Sequence, residues 1–202
     1  MSRVGLDAPP GPRYNIRVIS RRLWVLSAFL LFAGALGYAW HYHWRDHRFD
    51  PVILAAATRY EVEPSLVKAV VWQESRFDPE ARGRAGETGL MQVRELAALE
   101  WTDSEGMGAL ISEQLADPGT NTLAGAWYLA KLLKRYQHTD NPPAYALADY
   151  NAGRSNVLRW NKGAAATNGE AFIQQIDFPG TRRYVRAVLL RREHYQPAFD
   201  IQ

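Results

Sequence analysis

The chain has 202 residues, 47% hydrophobic and 12% aromatic, which bounds it to one domain with room for a tail and excludes wholesale disorder. Its net charge of +3 divides unevenly: residues 1–48 carry +5 (Arg3, Arg13, Arg17, Arg21, Arg22, Arg45 and Arg48 against Asp7 and Asp46), and the rest carries −2, with 17 basic and 19 acidic residues. A basic arm on a slightly acidic body removes most support for nucleic-acid binding, and the absence of cysteine excludes disulfides, thiolate zinc sites and a lipidated cysteine.

Residues 1–22 read as a polar tail, with Ala8-Pro9-Pro10-Gly11-Pro12 resisting helix. From Leu23 to Trp40 no charge occurs. As helix that stretch spans roughly 27 Å, close to the hydrocarbon thickness of a bilayer. Trp24 marks one end and Tyr38, Trp40, Tyr42 and Trp44 the other, as interfacial aromatics do. The arginines before the span put the N-terminus in the cytoplasm by the positive-inside rule. The pattern therefore predicts a membrane anchor over 23–44, with the remainder outside the cytoplasmic face. A cleaved signal peptide is the alternative, but its apolar region is shorter and it exits through small residues, whereas bulky aromatics stand here. His41, His43 and His47 lack an accompanying carboxylate pattern and read as an interfacial linker, so no metal and no cofactor is expected.

From Asp50 onward the chain reads as helices separated by Gly and Pro signals. Asp50-Pro51 opens one to about Tyr60, and Pro64 opens another that ends near Phe77-Asp78-Pro79. Met91–Trp101 is expected to be helical. Asp117-Pro118 caps a run to about Tyr136 with a core face of Leu123, Trp127, Leu129, Leu132 and Leu133. Pro142-Pro143 begins a helix that stops at Gly153, and Thr181 caps the last one, Arg182 to about Tyr195. Along it Tyr184, Val185, Val188 and Leu189 form one stripe, and the arginines face mostly solvent. No strand pattern, repeat or phosphate-binding glycine motif is visible. The fold class is mainly α.

Glu74 carries the chemistry. It ends the apolar run Leu66–Trp72, where desolvation and the helix C-terminus both oppose ionisation. A carboxylic acid still protonated near neutral pH is the general acid that glycosidic cleavage requires. The structural alternative is a carboxylate on the surface at a helix end.

The flanking residues resemble one family. Glu74-Ser75-Arg76-Phe77-Asp78-Pro79, then Gly86 and Gly89-Leu90-Met91-Gln92, is similar to the soluble lytic transglycosylase domain, which has a lysozyme-like fold. Asp149-Tyr150-Asn151-Ala152-Gly153 resembles its Tyr-Asn-Ala-Gly motif, and Thr181-Arg182-Arg183-Tyr184-Val185 its Thr-x-x-Tyr-Val segment. Asp117-Pro118 and Gly125, upstream of Tyr128-Leu129, match as well. The resemblance covers about residues 50–195. It implies that Glu74 is the single acid/base, protonating the oxygen between N-acetylmuramic acid and N-acetylglucosamine in peptidoglycan. The sugar's own carbon-six hydroxyl then closes a 1,6-anhydro ring. It further implies that Gln92 and Tyr150 line the sugar groove, with Ser75, Met91, Asn151 and Tyr184 shaping it. Each has a plainer role open to it: Gln92 can bridge loops, Met91 and Tyr184 can pack, Tyr150 can sit in the core with its hydroxyl satisfied, and Asn151-Ala152-Gly153 can end a helix.

Three positions depart from the family pattern: Gly83 stands where serine is usual, and Glu87 and Asp149 where alanine is. Glu87 reads either as a loop residue paired with Arg82 or Arg84, or as a modulator that raises the pKa of Glu74 or positions a water. Asp149, also atypical, is expected to be exposed. The leading expectation is a bacterial inner-membrane lytic transglycosylase whose partners are peptidoglycan glycan strands on the periplasmic side. The alternatives are a hydrolytic muramidase or chitinase on the same fold and a non-catalytic glycan-binding scaffold. No residue pattern specifies a protein partner in the cell envelope.

Overall fold

A computed structural model describes residues 16–108 and 112–200, and the chain divides into two compact units, Met1–Arg45 and Asp46–Gln202. The first unit is built on α1 (Ile16–His47). Its large apolar side chains are exposed, Trp24 at 78% and Leu31, Phe32 and Trp40 similarly. From Trp24 onward it is long and apolar enough to cross a membrane by length and composition. Of the tail expected over 1–22, residues 1–15 lie outside the described residues.

In the second unit the most apolar segments form the centre. Along α3 (Pro64–Ser75), Leu66, Val67, Ala69, Val70 and Val71 are all buried, so both faces need cover. α2 (Asp50–Arg59) and α10 (Pro179–Phe199) pack against it. α7 (Pro142–Ala152) is the second central helix and packs on α10 and on α6 (Pro118–Arg135). Its buried Ala144, Ala146 and Ala148 let neighbours approach closely, while Tyr145 and Leu147 fill the gaps between them. Truncating a residue such as Leu147 to alanine costs about 3 kcal/mol in a core of this kind. Proline stands in the first turn of α2, α3, α6, α7 and α10, where it has no unpaired N–H to leave. Asp117 caps α6 by accepting from Thr120 N at 2.8 Å.

Lys68 is fully buried on α3. Its ammonium pairs with Asp50 at 2.7 Å and lies 4.7 Å from the centre of the Tyr195 ring, while Tyr195 donates to Asp46 at 2.8 Å. This polar cluster fastens the far end of α10 to the start of the unit. Removing Asp50 would strand an uncompensated buried charge.

Four expectations are corrected. The helix placed at Met91–Trp101 begins only at Glu95 (α4, Glu95–Ser104), because Thr88 and Val93 exchange backbone hydrogen bonds at 3.1 and 3.0 Å and Gln92 has φ +47°. Thr181 does not cap α10. It lies in the first turn, after Phe178, and its hydroxyl donates to Asn151 Oδ1 at 2.8 Å. Asp149 is buried, accepting from Arg135 and from the Tyr136 hydroxyl, both at 2.7 Å. On α6 Leu129 and Leu132 are buried, but Leu123, Trp127 and Leu133 are only partly so; Asn121, Ala124, Gly125 and Ala126 are buried with the two leucines. The short helices α5 (Ser112–Ala116), α8 (Arg154–Trp160) and α9 (Gly169–Gln175) carry too few turns to show a period in sequence. Among the described residues two isolated bridges, Arg82 with Thr88 and Thr88 with Val93, are the only β pairing.

Candidate active site

α3 stops abruptly. Arg76 and Phe77 take φ of +55° and +62°, a left-handed pair without glycine, costing about 1 kcal/mol or more per residue. Burial of the Phe77 ring and a hydrogen bond from Arg48 to Phe77 O at 2.5 Å hold the reversal. Ser75 binds it from inside, its single hydroxyl hydrogen shared between Val71 O at 3.1 Å and Leu90 O at 2.9 Å. The last turn of α3 is thereby joined to the loop 81–93.

Buried Asn121 on α6 clamps that loop. Its Oδ1 accepts from Met91 N at 2.8 Å, and its Nδ2 donates to Thr88 O at 2.8 Å and Leu115 O at 2.9 Å. Gly89, at φ +76°, has no room for a side chain, since a Cβ would stand 2.5 Å from Asn121 Nδ2. Met91 packs over Gly125, where a Cβ would meet its sulfur at 2.4 Å. Gln92 Nε2 donates to Ala81 O and Gly89 O, both at 3.0 Å.

These elements wall a cleft of about 420 Å³ into which Glu74, Glu87, Gln92, Arg94, Tyr128 and Tyr150 face. The Tyr150 hydroxyl donates to Met91 O at 2.7 Å, and its ring leans on Tyr128 at 5.5 Å between centroids. Tyr184, on the first turns of α10, donates to Glu74 Oε1 at 2.6 Å. With Oε1 engaged as acceptor, Oε2 is the oxygen left to carry a proton.

Glu74 is pushed from 4.5 up to about 7. Desolvation is the main cause; the Tyr184 hydrogen bond opposes it, the Glu87 charge adds to it, and Arg94 opposes it. Glu87 shifts the other way. Burial opposes its ionisation, but the Ala85 N–H (2.9 Å) and the Arg94 fork (3.0 and 2.7 Å) outweigh that and hold it below the usual range. Its partner is Arg94 rather than Arg82 or Arg84; Arg82 donates to Thr88 Oγ1 at 2.8 Å. Burial also raises the Tyr150 and Tyr184 phenols well above 10, so both remain donors.

The site residues expected from sequence fall into two groups. Glu74, Glu87, Gln92, Tyr150 and Asn151 line the cleft, and Tyr184 touches Glu74. Ser75 and Met91 are buried and act from behind, through hydrogen bonds and packing that hold the loop. Arg94 and Asn121 had no place in the sequence reading, and Tyr128 entered it as a motif match rather than as a cleft residue. The available signal for Asn121 was an amide on the inward stripe of a long amphipathic helix, and for Tyr128 the Tyr128-Leu129 match; Arg94 gave none. Glu87 also explains Gly83: a Cβ there would lie 2.2 Å from Glu87 Oε2 and 2.9 Å from Gln92 Oε1. Gly83 and Glu87 therefore share one space, and a side chain at position 83 would require the Glu87 carboxyl to move.

The family model described as transglycosylase SLT domain matches residues 51–173. The soluble lytic murein transglycosylase of Salmonella typhimurium is 32% identical over 184 residues, 86% of this chain and 26% of that protein. Membrane-bound lytic murein transglycosylase F of Desulfosudis oleivorans is 38% identical over 113 residues, 54% of this chain and 23% of the relative. The solved structure of an inactive mutant of lytic transglycosylase Slt from Pseudomonas aeruginosa aligns with a TM-score of 0.68 at 29% identity, over 74% of this chain and 24% of that one. The chain thus spans about a quarter of the length of these proteins.

Proposed function

We propose that this chain, which belongs to the transglycosylase SLT domain family, is a membrane-anchored lytic transglycosylase that cleaves peptidoglycan between N-acetylmuramic acid and N-acetylglucosamine. Glu74 gives its proton to the glycosidic oxygen, then takes one from the carbon-six hydroxyl as that oxygen attacks carbon one. The product is a 1,6-anhydromuramic end, and no water is consumed. One carboxyl suffices because the nucleophile belongs to the substrate and is already close. An ordinary glycosidase needs a second carboxylate as nucleophile or to activate water.

The observation that carries this reading is the state of Glu74: desolvated, held at Oε1 by Tyr184, and raised to about 7 beside a cleft. An acid so poised keeps a large protonated fraction near neutral pH and is basic enough to recover a proton in the second step. Gln92, Tyr150 and Asn151 form the polar and aromatic wall against which the sugars lie. Glu87 supports the lytic over the hydrolytic outcome. Its two oxygens are engaged by Arg94 and Ala85 N, which hold it below the usual carboxylate range and make it a weak base for activating a water. Its role is to oppose ionisation of Glu74 by charge.

In this reading the apolar helix over 23–44 anchors the protein in the bacterial inner membrane with its N-terminus cytoplasmic, and residues 50–195 act in the periplasm. Mass spectrometry of purified sacculi digested with the full chain tests the proposal. Anhydromuramic ends are expected, and Glu74→Gln is expected to release none. Reducing ends in their place would assign hydrolysis; no release by the wild type would leave a glycan-binding scaffold.

A further inference from the structure

The residues that leave α1 are built into the second unit. α1 runs to His47, and Asp46 and His47 already count with that unit, as do Arg48, Phe49 and Asp50. The family model begins at residue 51, so this stretch lies ahead of it. Tyr195, late in α10, donates to Asp46 at 2.8 Å, Asp50 pairs with buried Lys68 on α3 at 2.7 Å, and Phe49 packs against the core. Between them the Arg48 guanidinium lies over the Phe49 ring, 4.5 Å from its centre, and donates to Phe77 O at 2.5 Å.

Phe77 O belongs to the reversal that ends α3. Arg76 and Phe77 are both left-handed without glycine, and a strained pair of this kind persists only where its surroundings over-determine it. Local contacts do part of that work: the Phe77 ring is buried, and Asp78 N donates to Ser75 O at 3.0 Å. Arg48 adds a hold from 29 residues earlier in the chain, and a hydrogen bond with a charged donor is about twice as strong as a neutral one. Glu74 stands just before this reversal, in the last turn of α3, where the Tyr184 hydroxyl meets its Oε1 at 2.6 Å. Helix ends fray when nothing holds them. Fraying here would swing the carboxyl off Tyr184 and toward water. The same exit segment fixes α3 through Lys68 and α10 through Tyr195, so the helices that carry Glu74 and Tyr184 share one clasp.

We propose that Arg48 is a positioning residue for Glu74: its hold on Phe77 O fixes the reversal that presents the carboxyl to the cleft and to Tyr184. The inference rests on the reading of Glu74 as the acid. It makes the segment leaving α1 part of what aligns the reaction, so cleavage runs at full rate only where residues 46–50 are seated on α3 and α10. Misplacing a reacting group by about 1 Å costs about a hundredfold in rate, so a smaller shift of the α3 terminus is still read in kcat. Lysine at this position keeps a charged donor without the planar fork, whereas methionine keeps an apolar stem and no donor.

The test compares Arg48→Met and Arg48→Lys with the wild type, each as the full chain in neutral detergent, with the folded fraction followed by circular dichroism. On soluble glycan strands Arg48→Met is expected to lose about tenfold or more in kcat at an unchanged KM, and Arg48→Lys to recover part of it. In a Tyr184→Phe background the same substitution is expected to cost only about twofold, because the contact it protects is already gone. A carbon-13 titration of the Glu74 carboxyl, assigned with Glu74→Gln, is expected to show the midpoint falling in Arg48→Met as water reaches the group. An unchanged kcat per folded molecule, or an equal loss in both backgrounds, overturns the proposal and leaves Arg48 a stabilising residue alone. If Arg48→Met does not fold, Arg48→Lys carries the same two comparisons, with an expected loss of about threefold. If the wild type releases no product the lytic reading falls, and the titration decides the proposal by itself: a midpoint that falls supports it, and one left in place by both variants overturns it.

Discussion

The end of α3 and the loop 81–93 each bring one glutamate to the same cleft, and the two behave oppositely. Glu74 leaves a buried helix, accepts one neutral hydrogen bond, and rises to about 7. Glu87 sits in a loop with a backbone N–H and an arginine fork on its oxygens, and falls below the usual carboxylate range. The same functional group becomes a proton donor in one setting and a fixed negative charge in the other. What separates them is the number and charge of the donors that replace water.

Replacing each group in turn breaks or sharpens this contrast. Glu74→Gln removes the proton itself, and release of anhydromuramic products should fall by about a thousandfold or more, with strand binding retained. Asn121→Ala unhooks the loop that carries Glu87. It leaves Met91 N and Leu115 O without this partner in the interior and takes from Thr88 O one of its two donors, the other being Val93 N, so denaturant unfolding should show a loss of about 3 kcal/mol.

Stability should also depend on pH through Glu74. Its folded pKa lies above its unfolded value, so this contribution is fully present below 4.5 and is lost as pH rises through about 7. Between pH 5 and 8 the wild type should lose about 3 kcal/mol relative to Glu74→Gln, and equal losses in the two proteins would contradict the assignment. Tyr184→Phe removes the hydrogen bond that favours the ionised form. The alkaline limb of the pH–rate profile should move up, against a modest loss in kcat. Glu87→Gln gives the smallest change, moving that limb down because a repelling charge is gone. Should Glu87→Gln instead abolish activity, Glu87 takes part in the reaction directly, and the contrast between the two carboxyls is wrong.

Much of the site was legible because its parts are local. The apolar run before Glu74, the proline helix starts and the Tyr150–Gly153 corner each lie within a few residues, and their spacing carried both the fold class and the resemblance. The supporting shell was not legible in the same way. Ser75 was expected to shape the groove, and Met91 to shape it or to pack; both hold the loop from inside. Asp149 looked exposed and proved to be a buried partner of Arg135 and Tyr136. The helix expected at Met91 was displaced to Glu95 by the Thr88–Val93 pairing, a contact that propensity does not register.

The sequence by itself determined a mainly α chain with an apolar N-terminal helix, and it singled out Glu74 as the carboxyl most opposed to ionisation, because periodicity, capping and local apolarity act over one or two turns. Only the tertiary structure decided which groups surround that carboxyl. Tyr184 reaches it from 110 residues away, Arg94 claims Glu87, and the Glu87 side chain fills the space that Gly83 leaves open. Those choices depend on how α3, α7 and α10 pack, and packing brings together side chains that no short window of sequence contains.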